Sequence, residues 1–253
     1  MVVTLTPVPR FPMVRPGDDL AGLLIAACAE SALAPADGDV VVVAQKIVSK
    51  AEGRYVDLAQ VRPSARAESL AAQVDKDPRL VEVILGESQR VVRHRPGVLI
   101  VEHRLGFIMA NAGVDRSNVD PDLGADPVLL LPRDPDASAA RLRERLGAHF
   151  HSQPAVIVTD SWGRAWRRGT VGVALGAAGL PALMDLRGRS DLFGHELRVT
   201  ETGFADEIAS AASLIMGQAN EAQPVVLVRG LSWADAPTPG ASLIRTPEED
   251  LFR

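Results

Sequence analysis

The chain is poor in several residue types. Among its 253 residues there is one cysteine, one tyrosine and three tryptophans, and aromatic residues make up 4%. The lone Cys28 excludes an intrachain disulfide or a paired-cysteine metal knuckle and reads as a buried apolar residue. No apolar run approaches the ~18 residues of a membrane span, and the N-terminus lacks the basic and apolar regions of a secretory leader. These absences point to a soluble, cytoplasmic protein. Of the 27 basic residues only Lys46, Lys50 and Lys76 are lysines, and the net charge is −5. An acidic chain excludes a broad electrostatic grip on nucleic acid. Apolar residues at 47% and charged residues at 23% exclude disorder.

What is present is a mixture of short strands and helices. Asp18-Asp19 before Leu20, Leu23, Leu24 and Ala27 predicts a capped amphipathic helix. Val40–Val43, Ala155–Thr159, Thr170–Leu175 and Val225–Val228 predict strands. One or two helices are expected over 64–88, broken near Asp77-Pro78. Val98–Glu102 and Phe107–Ala110 predict a hairpin. A helix should start at Asp134-Pro135 and stop at Gly147, with His149 and His151 as surface caps, and another should run from Phe204 to a stop at Gly217. Elements that do not alternate cleanly argue for an α+β fold rather than a doubly wound sheet. We expect one catalytic unit over 1–233, of one or two lobes, and a loose tail over 234–253.

Familiar motifs are missing. No Gly-Lys pair provides a Walker A loop, and Gly172, Gly176 and Gly179 are spaced for close packing or a turn rather than for a dinucleotide. His195-Glu196 lacks the second histidine of a zincin, and there is no GxSxG elbow.

Three polar clusters follow apolar strands. Gln45 to Arg54 holds Lys46, Lys50 and Arg54. It reads either as an anion site or as a solvated turn with edge lysines, and charge alone favours the turn. Asn111 to Asn118 offers Asp115 as a hard carboxylate and Asn118 as a hydrogen-bonding amide, or is an Asx-rich turn. Asp160 to Gly169 combines Asp160 and Ser161 with Arg164, Arg167, Arg168, Trp162 and Trp166. Forked guanidiniums suit phosphate or carboxylate, and the tryptophans can stack on a planar ring. A single-strand nucleic-acid platform is the weaker reading. Met216, Gly217, Gln218 and Ala219 end a helix and can equally close around a nucleotide. Convergence of the clusters would describe metal-assisted phosphoryl transfer.

The segments DGDVVVVAQKIVSKAEGR, GFIMANAGVDRSNV, VIVTDSWGRAWRRGTVG and FADEIASAASLIMGQA resemble the coenzyme F420-0:L-glutamate ligase family, in order from Pro7 to Leu231. The resemblance implies an unusual α+β ligase fold with mixed and antiparallel sheets, an intertwined homodimer, and a stand-alone ligase. It implies GTP and Mg²⁺ or Mn²⁺ dependence, with K⁺ as a possible helper. L-Glutamate would be joined through an acyl phosphate to a deazaflavin precursor, coenzyme F420-0 or a close relative, and further γ-linked glutamates added.

By motif position, Asp115, Asp160 and Ser161 match metal-site residues, with Ser161 standing for a more usual threonine, and Gln218 matches a second metal position. Lys50 and Asn118 match GTP contacts, and Phe11, Pro12, Met13, Gln45 and Lys46 fall where other nucleotide contacts occur. Gln45-Lys46 stands where some relatives carry small hydroxyl residues. Arg164 and Arg168, with Arg167, suit the anionic substrate. The rival readings are a metal-dependent phosphatase or nucleotidase, and a non-enzymatic nucleotide-sensing partner protein.

Overall fold

A computed structural model describes residues 2–251. In chain order the strands are β1 (Thr4–Pro7), β2 (Val40–Ala44), β3 (Tyr55–Asp57), β4 (Ser88–Arg95), β5 (Val98–His103), β6 (Ile108–Ala110), β7 (Pro127–Leu129), β8 (Ala155–Gly163), β9 (Thr170–Ala178), β10 (Met184–Asp185), β11 (Glu201–Thr202) and β12 (Val225–Arg229). The helices are α1 (Leu20–Glu30), α2 (Gln45–Ala51), α3 (Ala65–Val74), α4 (Pro78–Gly86), α5 (Pro135–Phe150) and α6 (Phe204–Met216). The fold is α+β with mixed sheets, as expected. Among the described residues no helix is long and apolar enough to cross a membrane.

The chain divides into two compact units. Unit 1 comprises Met1–Met13, Asp19–Val48 and Asp134–Leu243, and unit 2 comprises Val14–Asp18, Ser49–Arg133 and Ile244–Arg253.

Unit 1 is built on a five-stranded sheet in the order β1-β12-β2-β8-β9. Only β2 and β8 run parallel, and the chain between them carries unit 2 and α5. Val40, Val41, Val42 and Val43 are all at most 1% exposed, so both faces of β2 are covered. A strand buried on both faces reads as a continuous apolar run, which explains why VVVV was legible without alternation. Helix α6 buries Ala205, Ile208, Ala209 and Ala212 against Val40, Val42 and Ile157. Gly172 and Gly176 serve close packing: a Cβ at Gly172 would collide with the Ala209 carbonyl, and one at Gly176 with the Pro135 backbone.

Several expectations need correction. Asp19 precedes α1 but makes no side-chain cap; its carboxylate instead pairs with Arg145 at 2.8 Å. Helix α5 runs through Gly147 to Phe150 and ends at His151, whose left-handed backbone donates its N–H to the Gly147 carbonyl. Gly147 is thus the acceptor within the capping turn, and His149 and His151 lie where expected. Strand β8 continues past Thr159 to Gly163, carried by pairing with β9. Within the expected tail, Thr238 donates its N–H to the Leu180 carbonyl and Gly240 donates to Asp136 at 2.6 Å.

Unit 2 contains the sheet β4-β5-β6 and the pair β3-β7. The predicted hairpin is β5-β6, and its third strand, β4, was not anticipated. The break at Asp77-Pro78 is observed: Asp77 caps α4 by accepting from the Arg79 N–H at 2.8 Å. Leu70, Val74, Val81, Ile84, Leu99 and Val101 form the apolar core. Beside it lies an ionic group. Glu87 meets Arg54 at 2.7 Å, Arg104 at 3.1 Å and His103 Nε2 at 3.6 Å, and Arg54 Nε also donates to the Leu131 carbonyl.

Candidate active site

The first cluster is not a solvated turn. Residues 45–51 form α2, fed directly from β2, and Gln45, Ser49 and Lys50 are buried while Lys46 is half-buried. Lys50 is 6% exposed and its Nζ donates to the Asn118 backbone carbonyl at 2.7 Å, across 68 positions of sequence. Both residues belong to unit 2. A buried ammonium needs partners, and this contact brings together two residues that the resemblance places at nucleotide-contact positions.

Asp115 is also in unit 2. Its backbone exchanges both hydrogen bonds with Leu129, an antiparallel bridge on the edge of β7 away from β3. Its carboxylate accepts from the Ser117 N–H at 2.7 Å and the Ser117 hydroxyl at 2.8 Å. Hydrogen bonds of this kind hold a carboxylate in one orientation. Just before it, Asn111, Ala112 and Gly113 all take positive φ, at 54°, 52° and 68°. Left-handed geometry is costly for a residue such as alanine, and Ala112 is held there fully buried. Among the buried polar atoms of this unit without a hydrogen-bond partner are Tyr55 Oη and Asn111 Oδ1. Burial, with the Asp120 charge, pushes the Tyr55 hydroxyl above its ordinary pKa.

In unit 1, Asp160 and Ser161 lie inside β8, opposite Val173 and Gly172 of β9, rather than after a strand end. This corrects the placement read from the sequence and puts them on a rigid ladder. The Ser161 hydroxyl donates to Gln218 Oε1 at 2.7 Å, across 57 positions. Gln218 follows α6, whose stop at Gly217 is as expected, with φ 72°. A Cβ at Gly217 would collide with the Glu221 carboxylate, which accepts the Ala219 N–H at 2.8 Å and so shapes the loop. Met216 and Gly217 are half-buried, and Gln218 and Ala219 exposed.

The remaining predicted residues are distributed as follows. Phe11 is half-buried and Pro12 and Met13 exposed, in the segment after β1. Arg164 is half-buried, with a guanidinium N–H 3.5 Å from the Gly169 carbonyl, and Arg168 is exposed. Asp115, Lys50 and Asn118 belong to one unit, and Asp160, Ser161, Gln218, Gln45, Lys46, Phe11, Pro12 and Met13 to the other. Sequence reasoning missed Ser117 as the orienter of Asp115 and Glu221 as the brace of the 217–221 loop. The Asp-x-Ser spacing was a usable signal for the first, through its turn chemistry.

Among the described residues no three His, Cys, Asp or Glu side chains gather into a metal cage. The donors that meet in unit 1 are the Ser161 hydroxyl and the Gln218 amide oxygen at 2.7 Å, and Asp160 is the preceding residue of β8, a strand in which successive residues alternate between faces. Hard oxygen donors of this type fit Mg²⁺ or Mn²⁺, which retain water and take few protein carboxylates.

These polar side chains stand on an α+β scaffold of mixed sheets. The profile of the F420-0:Gamma-glutamyl ligase family matches residues 9–230, and the chain belongs to that family. It is 47% identical to the coenzyme F420:L-glutamate ligase of Methanopyrus kandleri, over 98% of this chain and 97% of that protein. It is 45% identical to the protein of the same name from Methanothermobacter thermautotrophicus, with both chains fully covered. The Haloarcula marismortui protein of that name is 45% identical over 96% of this chain and 92% of its own.

Proposed function

We propose that this chain joins L-glutamate to the carboxylate of coenzyme F420-0, or a close deazaflavin precursor, at the expense of GTP. The observation that carries this reading beyond family membership is the Lys50–Asn118 contact, which joins two nucleotide-matched positions far apart in sequence. In the first step an acceptor carboxylate oxygen attacks the γ-phosphorus. The bond to the β–γ bridging oxygen breaks, and GDP leaves an acyl phosphate. In the second, the glutamate amine attacks the acyl carbon, phosphate departs, and the nitrogen loses a proton to give the amide. Further γ-linked glutamates would be added by the same cycle.

Lys50 supplies a fixed positive charge to the nucleotide phosphates, and Asn118 a polar contact. Gln45, Lys46 and the Phe11–Met13 segment are the proposed further nucleotide contacts. Asp115, Asp160 and Ser161 are the residues proposed to hold divalent metal, with Gln218 at a second metal position. A bound Mg²⁺ or Mn²⁺ neutralises phosphate charge as it shifts toward the leaving group. Arg164 and Arg168 are proposed to bind substrate anions. The reading includes a homodimer, which sedimentation would report, and K⁺ as a possible activator.

Replacing Asp160 by Asn keeps size and removes the charge. We expect glutamate-dependent GDP release to fall by about 100-fold or more. Unchanged turnover in both Asp160→Asn and Asp115→Asn would refute the assignment. Phosphate release at full rate without glutamate would favour a phosphohydrolase instead.

A further inference from the structure

The turn joining β8 to β9 has an unusual surface. Trp166 is 88% exposed and sits in the left-handed region at φ 65°. A tryptophan retained only to fill space would be buried, and a bulky residue seldom tolerates positive φ. Here the backbone holds the indole out in solvent at a local conformational cost, a pattern that collects at ligand clamps. Arg167 and Arg168 follow directly, both exposed, and neither enters an ion pair among the described residues. The other exposed guanidiniums divide: Arg187 reaches Asp185, Arg189 reaches Asp235 and Arg145 reaches Asp19, whereas Arg62, Arg66 and Arg198, like the tip pair, enter no ion pair among the described residues. The arginine Arg164 bridges back toward Gly169, across the base of the turn.

We propose that this tip is a subsite for the acceptor, with Trp166 against its planar ring and Arg167 on its anionic tail. Neither residue is among those matched to nucleotide or metal positions. The chemistry favours the acceptor over a neutral aromatic ligand, because unpaired guanidiniums beside an indole suit a planar ring carrying negative charge. Amide ligation of glutamate replaces one acceptor carboxylate by two, so the product is the more anionic ligand. The subsite therefore binds the glutamylated form more tightly than the unmodified one. This inference rests on the ligase reading for the identity of the ring.

The test is calorimetric titration of the full chain with F420-0 and with its monoglutamylated form, at low and raised salt, beside steady-state KM values. Trp166→Ala is expected to weaken F420-0 binding about tenfold, the loss typical of an aromatic stacking partner. Arg167→Gln is expected to weaken the glutamylated form more than F420-0 and to flatten the salt dependence. Arg198→Gln removes an equally exposed guanidinium elsewhere and is the control. Acceptor Kd and KM within twofold of wild type in both tip variants, while wild type forms the amide, would overturn the subsite and leave the ligase reading intact. A rise in the GTP KM with acceptor binding unchanged would overturn it too, assigning the patch to the nucleotide. A wild-type chain that forms no amide, yet binds F420-0 through Trp166, would sink the ligase reading and keep the subsite.

Discussion

Each unit takes an acidic side chain out of water, and the two do so with opposite consequences. In unit 1, Asp206 stands in the first turn of α6, and burial raises its pKa despite the Ala174 N–H it accepts. In unit 2, burial would also raise Glu87, but His103 and the guanidiniums of Arg54 and Arg104 outweigh it and hold the carboxyl below its usual value. Unit 1 relies on a sheet of valines and alanines and leaves half-buried Asp206 with a single backbone donor, although its buried Asp39 is paired with Arg229 at 2.7 Å. Unit 2 has a core of smaller elements and sets an ionic group beside it. The contrast follows the general rule that a carboxylate leaving water needs partners to stay charged.

The largest effect should come from breaking the ionic group. Glu87→Ala leaves Arg54 without its carboxylate and should destabilise unit 2 by about 3–5 kcal/mol. Hydrogen exchange of the β4–β6 amides would report it, with the β2 and β8 amides as reference. Ile157→Ala should do the reverse, costing unit 1 about 2–5 kcal/mol through the cavity left at a position that is 0% exposed. Equal loss of protection in both units from either variant would abolish the distinction.

Smaller effects follow from pH. The depressed Glu87 pKa contributes stability that is complete above the unfolded value near 4.5 and is lost as pH falls through the folded value. Urea midpoints of wild type and Glu87→Gln should therefore converge on acidification. For Asp206 the sign is opposite. Its raised pKa favours the folded state at low pH, and that contribution is lost as pH rises from about 3.8 through the folded value. Asp206→Asn keeps an oxygen for the Ala174 N–H and should be more stable relative to wild type at neutral pH than in acid. A flat difference across that range would remove Asp206 from the comparison.

The legibility of the two units differs for a related physical reason. The valine runs of β2 and β12, the Asp-Pro start of α4 and the Gly217 stop of α6 are local signals, and each was readable. Strand β4, Ser-Gln-Arg-Val-Val-Arg-His-Arg, was not: it is a charged, largely exposed strand that owes its state to pairing with β5. Helix α2 was hidden because its seven residues are too few to show a period. At the site, residue types and spacing picked out Asp160 and Ser161, whereas Lys50 came from the family resemblance, its cluster reading on charge alone as a solvated turn. Their partners Gln218 and Asn118 lie 57 and 68 positions away, and hydrogen bonds of that range leave no mark on one sequence. The extension of β8 through Ser161 was likewise decided by β9.

The most direct trial of the functional account is to supply the full chain with GTP, Mn²⁺, L-glutamate and F420-0 and to weigh the products. The account predicts acceptor heavier by one or more glutamyl residues, with one GDP and one phosphate formed per residue added and none of the three when Asp160 is replaced by Asn. Nucleotide cleavage that proceeds with the acceptor mass unchanged would contradict it.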